Sequence, residues 1–176
     1  MNNIFLIGPM GSGKTTIGRR LGALLDREFI DLDEEIERRC GVEVAVIFDI
    51  EGEAGFRARE RDLLEEMTAR SNIILASGGG SVVDANNRRF LTERGLVVYL
   101  KTAVDQQIRR LERDKRRPLL AAPDRLKRLN RLAEERNPLY ESLADVVIAS
   151  ENLAPDRMAR KVARRILQAL NETRHA

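Results

Sequence analysis

The sequence predicts an α/β fold, a five-stranded parallel sheet covered by helices on both faces. Three observations predict it. Five short runs are apolar throughout rather than alternating, as strands buried on both faces require. Stretches with helical spacing separate them, and that alternation argues for a parallel sheet. The first run stops at Gly8-Pro9-Met10-Gly11-Ser12-Gly13-Lys14-Thr15, which fits G-x-x-x-x-G-K-[ST], the phosphate-binding loop.

Taken in order, Ile4 to Ile7 is the first strand. Lys14 to about Arg27 is the first helix, with Ile17, Leu21, Leu24 and Leu25 at helical spacing. Phe29-Ile30-Asp31-Leu32-Asp33 reads as a second short strand ending in two acids, and a short helix from Glu34 to Cys40 is closed by Gly41. Val44 to Ile50 is apolar without a deciding period. A long helical pattern follows, with Phe56, Leu63, Leu64 and Met67 on one face.

Ile73 to Ala76 is the third strand, stopping at Ser77-Gly78-Gly79-Gly80. Asp84 caps a helix through about Arg94, with Gly95 as its stop. Leu96 to Leu100 is the fourth strand, and Val104, Ile108 and Leu111 mark another helix. Arg and Lys then cluster up to Asp124, around Pro118-Leu119-Leu120, in the manner of a surface lid. A helix through Leu126, Leu129 and Leu132 is expected to break at Pro138. Val146 to Ile148 is the last strand, Pro155 opens the last helix, and the tail from Asn171 is expected to fray.

The loop chemistry uses each residue. Glycines let the backbone curl so that successive N–H groups face phosphate oxygens. Gly11, Ser12, Gly13, Lys14, Thr15 and Thr16 therefore form an anion cradle at a positive helix end. Lys14 reaches the β- and γ-phosphates and the Thr15 hydroxyl ligates Mg²⁺. Ligands of parallel sheets bind at the carboxyl ends of strands. The loop, Asp31 and Asp33, Gly78 to Gly80, and the segment from Ser150 to Pro155 all fall at such ends and should meet in one crevice. Asp31 and Asp33, two apart on an extended segment, should point to one side. One can help hold Mg²⁺ and the other can bind an acceptor hydroxyl, although Asp33 can also serve merely as a cap for the next helix. Gly78 to Gly80 can bring backbone N–H groups to a ligand or be a plain turn.

Composition excludes other classes. The chain has 176 residues, 43% hydrophobic and 34% charged, with net charge +3, as for a single globular domain. No apolar run reaches membrane-spanning length, and no signal peptide is evident, so a cytoplasmic protein is expected. Cys40 is the only cysteine, which rules out an internal disulfide and a Cys-based metal cluster. The single histidine, His175, sits in the tail, which argues against His acid–base catalysis. Five Phe, two Tyr and no Trp offer little for base stacking, and most Arg residues lie among acids on helical stretches. Nucleic acid is not an expected partner; an anionic small molecule is.

The order of motifs resembles the shikimate kinases. Gly8 to Thr16, Asp31-Leu32-Asp33, Gly52-Glu53-Ala54-Gly55-Phe56-Arg57-Ala58-Arg59-Glu60, Gly78-Gly79-Gly80, Arg117-Pro118-Leu119-Leu120 and Arg136-Asn137-Pro138-Leu139-Tyr140 match that family in order and spacing. The resemblance implies a P-loop three-layer α/β/α fold of the nucleoside-monophosphate-kinase kind. It would be a single kinase domain over 1–176, with a mobile lid over about 112–124 and a substrate-binding helical segment over about 33–61. It implies transfer of the γ-phosphoryl of ATP to the 3-hydroxyl of shikimate, in a monomer. By matching position, Asp33, Arg57, Gly79, Gly80 and Arg136 bind shikimate, and Arg110 and Pro155 flank adenine. Thr15 ligates Mg²⁺ directly and Asp31 does so through water. Lys14, Asp33 and Arg117 are the catalytic group, with Arg117 closing over the phosphates. Shikimate bears a carboxylate, and two planar guanidinium groups suit it because each can donate two parallel hydrogen bonds. Glu60, one helical turn after Arg57, can hold that Arg in place. Two other readings are another small-molecule kinase, such as a gluconate kinase, and a nucleotide-binding module without turnover.

Overall fold

The computed structural model describes residues 3–112 and 124–175. The element order is β1 (Asn3–Ile7), α1 (Lys14–Leu25), β2 (Glu28–Asp31), α2 (Leu32–Cys40), α3 (Val44–Thr68) and β3 (Ile73–Ala76). A 3₁₀ turn (Ser81–Val83) leads into α4 (Ala85–Arg94), β4 (Gly95–Lys101), α5 (Val104–Leu111), α6 (Arg125–Leu143), β5 (Val146–Ala149) and α7 (Pro155–His175). The sheet runs β2-β3-β1-β4-β5, and every pairing is parallel.

β1 lies at the centre, and all five of its residues are buried. Successive side chains of a strand face opposite sides. Phe5 and Ile7 join a core with Leu64, Phe90 and Tyr140. Ile4 and Leu6 join a second core with Ile17, Leu21, Val162 and Ile166. One face is thus covered by α2, α3, α4 and α6 and the other by α1 and α7, which is the layered architecture that unbroken apolar strands imply. The lid expected around Arg117 lies largely outside the described residues.

Several local expectations are corrected. β2 stops at Asp31, and Leu32 already begins α2, so Asp31 and Asp33 do not share an extended segment. Asp31 rather than Asp33 is the cap: its carboxylate accepts from the N–H groups of Asp33 and Glu34. The undecided Val44–Ile50 stretch is helical, and α3 changes course at Gly52, where φ is 70°, a left-handed value that favours glycine. Gly95 stops α4 as expected; it is extended, with φ −172°, and also begins β4. α6 continues through Pro138. Proline deletes one helical hydrogen bond, but Leu129 before it and Tyr140 after it are both about 1% exposed, so packing holds the helix across the gap. α7 stays helical to His175.

Candidate active site

The phosphate loop leaves β1 at Gly8 and turns through Gly11 and Gly13, whose φ values are 145°, 74° and 89°. Gly13 stands at the N-cap of α1 without a capping side chain. The first-turn N–H groups of α1 are therefore presented at a positive helix end, where an anion binds well. Lys14 Nζ folds back on its own loop, donating to the carbonyls of Gly8 at 2.7 Å and Pro9 at 2.9 Å. Arg110, from α5, donates to the Gly11 carbonyl at 2.9 Å.

Thr15 begins the next link. Its Oγ1 donates to Asp31 Oδ2 at 2.5 Å, while Asp31 Oδ1 accepts from the Asp33 and Glu34 amides at 3.0 and 3.1 Å. A hydroxyl and a carboxylate oxygen are thereby set side by side, a donor pair suited to a hard cation. Among the described residues no group of three His, Cys, Asp or Glu is arranged to hold a metal.

These parts border a cavity of about 340 Å³ lined by Gly11, Gly13, Lys14, Thr15, Thr16, Asp31, Asp33, Gly78, Gly79 and Arg110. Three of the four strand-end features therefore meet. The fourth does not line it: Pro155 opens α7 and is exposed.

Arg57 lies against the third glycine of the turn. A Cβ added at Gly80 would sit 2.8 Å from Arg57 Cζ, so the guanidinium lies directly on Gly80. Arg57 Nη1 donates to Glu60 Oε1 at 2.7 Å, and Glu60 Oε2 accepts from Ser81 Oγ at 2.7 Å. At Gly78 the space for a Cβ is bounded by Glu60 Oε2 at 2.7 Å and Asp33 Oδ1 at 3.2 Å, which sets the Asp33 carboxylate beside the turn. Arg136, on α6, has a buried Nε without a hydrogen-bond partner among the described residues. It borders a small cleft with Met10, Leu132 and Tyr140, and Met10 also borders the main cavity.

Tyr140 donates to the Gly79 carbonyl at 2.5 Å. Burial raises its phenol pKa above the usual tyrosine range, while the nearby Arg136 and Arg57 cations pull it down. Both arginines thus act on one hydroxyl. Sequence reasoning gave neither Tyr140 nor Ser81 a part in the site. The available signals were the four-residue step from Arg136 to Tyr140, which puts both on one helix face, and the place of Ser81 directly after the third glycine. Arg117 lies outside the described residues.

The model of the family described as shikimate kinase matches residues 10–171. The chain belongs to the shikimate kinase family. A shikimate kinase of Pseudoalteromonas atlantica is 52% identical over 170 residues, 97% of each chain. One of Shewanella amazonensis is 51% identical over 168 residues, 96% of each. The structure of the Acinetobacter baumannii shikimate kinase in complex with shikimate aligns with a TM-score of 0.91 at 48% identity, covering 96% of this chain and 94% of that one. Membership of this kinase family agrees with the parallel sheet and the phosphate loop described above.

Proposed function

We propose that this chain transfers the γ-phosphoryl of ATP to the 3-hydroxyl of shikimate, giving shikimate 3-phosphate and ADP. One observation carries the reading: Gly78 and Gly79 border the cavity of the main-chain anion cradle, the Asp33 carboxylate lies beside Gly78, and the Arg57 guanidinium lies against Gly80.

Phosphoryl transfer asks a protein mainly for alignment and charge neutralisation. The amides from Gly11 to Thr16 hold the phosphates, and Lys14 exchanges its loop carbonyls for phosphate oxygens. Arg110 and Pro155 border adenine. Arg57 and Arg136 hold the shikimate carboxylate, Gly79 and Gly80 offer N–H groups, and Asp33 orients the 3-hydroxyl and accepts its proton. Arg117 closes over the phosphates and excludes water, which would otherwise take the phosphoryl group. Thr15 would hold Mg²⁺ directly and Asp31 through water, and an ion held there would supply charge neutralisation to the phosphates. The working unit in this reading is a monomer with a single kinase domain. The site of action is the cytoplasm. No helix among the described residues is long and apolar enough to cross a membrane.

The test is a coupled assay with ATP, Mg²⁺ and a panel of hydroxy acids that includes shikimate and gluconate. ADP release that depends on shikimate is expected. Release with gluconate alone, or with no acceptor at all, would overturn the reading.

A further inference from the structure

The glycine turn after β3 has an unusual division of hydrogen bonds. Its three carbonyls are all occupied. Gly78 O accepts from Ser81 N at 3.1 Å and Gly80 O from Val83 N at 3.1 Å. Gly79 O accepts from Tyr140 Oη at 2.5 Å. The N–H groups of Gly79 and Gly80 have no acceptor among the described residues. Two carbonyls are thus satisfied by the turn itself, and the middle one depends on a side chain 61 residues away.

A peptide unit is planar and trans, so the Gly79 carbonyl and the Gly80 N–H are rigidly opposed. Whatever fixes one aims the other. Glycine offers no side chain to restrain the plane, and its backbone is the most permissive of all residues. The anchor itself is well held. Tyr140 is about 1% exposed, and its ring lies 5.1 Å from that of Tyr99 at an interplanar angle of 30°. It also stands one helical turn after Arg136 on α6.

We infer that Tyr140 is a positioning residue for the acid substrate: its phenol pins the Gly79–Gly80 peptide and ties that turn to the helix bearing Arg136. The inference rests on the shikimate reading above. Without the bond the partly buried Gly79 carbonyl is unpaired, and the Gly80 N–H loses its fixed direction. Acid binding should weaken, while the nucleotide side, built from the loop after β1, should not.

The experiment is steady-state kinetics on Tyr140→Phe, which removes one oxygen and keeps the stacked ring. The shikimate KM should rise about tenfold, the scale expected when a partly buried carbonyl loses its donor. The ATP KM and kcat should change less than about twofold. A para-amino analogue of phenylalanine installed at position 140 restores a donor and should recover the KM. Tyr99→Phe, which loses the other phenol of the stack, should leave the shikimate KM unchanged. A Tyr140→Phe enzyme with wild-type shikimate KM would overturn the inference. So would one in which both KM values, kcat and Tm worsen together. Should Tyr140→Phe fail to fold, the para-amino variant decides: a shikimate KM far from wild type would overturn it. If wild-type protein does not phosphorylate shikimate, the functional reading fails instead, and the two failures are separate.

Discussion

Arg57 Nη1 donates to Glu60 Oε1 at 2.7 Å, and the carboxylate that receives it is only 1% exposed. The acid is held on both oxygens, since Oε2 accepts from Ser81 Oγ. A buried carboxylate must be paired, and here the pairing fixes the guanidinium on Gly80. Glu60→Ala should therefore act twice. Stability should fall by about 2–3 kcal/mol, the loss of hydrogen bonds to a charged group. The shikimate KM should rise while the ATP KM stays near wild type. Denaturant unfolding and a two-substrate kinetic analysis check this, and an unchanged shikimate KM would reduce Glu60 to a packing role.

Gly18 of α1 faces the Phe29 ring of β2, and a Cβ there would lie 2.8 Å from Phe29 Cδ2. Gly18→Ala should force helix and ring apart, costing about 1–3 kcal/mol as overpacking does. α1 also carries Lys14, Thr15 and Thr16 in its first turn, yet the clash falls on the turn after them. Urea midpoints should drop with both KM values little changed. A raised ATP KM would mean that the displacement reaches the loop.

What could be read from the sequence, and what could not, divides by distance along the chain. The loop from Gly8 to Thr16 is legible because its geometry is written in adjacent residues. β1, β3 and β4 are legible because burial on both faces leaves them almost wholly apolar, whereas β2 carries Glu28 and Asp31 and β5 alternates buried with exposed. That Asp31 and not Asp33 caps α2 is harder to read. A cap and a strand end look alike when the boundary moves by two residues. Pro138 misleads because the local cost of a lost hydrogen bond is outweighed by burial of Leu129 and Tyr140. The bond from Tyr140 to Gly79 joins residues 61 apart, and no periodicity announces it.

Acid should weaken the α2 helix at Glu35. Arg38 hydrogen-bonds both oxygens at 2.7 Å, and with Arg39 behind it holds the Glu35 carboxyl down at about 2, from an ordinary 4.5. The folded form thus binds the proton less readily than the unfolded chain. Its contribution to stability is present above about pH 4.5 and is lost as pH falls towards 2. Glu35→Gln should be less stable than wild type at neutral pH, and the two unfolding curves should converge at the acid end of that window. A difference that stays constant across it would remove Glu35 from the acid limb.

Arg117 lies outside the described residues, in the Arg117-Pro118-Leu119-Leu120 segment, and its cation suits the negative charge of the transferred phosphoryl. If it acts as an arginine finger, Arg117→Ala should lower kcat by about 10³ with a small change in shikimate KM. Normal turnover in that variant would assign the charge to Lys14 alone. Arg117→Lys should recover only part of the rate, since an ammonium cannot reproduce the bidentate fork.

Asp31 carries two loads on two oxygens, and substitution can separate them. Oδ1 caps α2, and Oδ2 meets the Thr15 hydroxyl. Asparagine is as good a cap as aspartate, whereas alanine loses about 1 kcal/mol of helix stability. Asp31→Asn should therefore keep the wild-type Tm, while its neutral amide weakens the shell around the cation. The Mg²⁺ concentration for half-maximal rate should rise about tenfold, the lower end of what outer-shell substitutions cost. Asp31→Ala should show the same shift together with the lost cap. An Asn variant with wild-type Mg²⁺ dependence would leave Asp31 with the cap alone, and the cation would then have to rest on Thr15 and the phosphates.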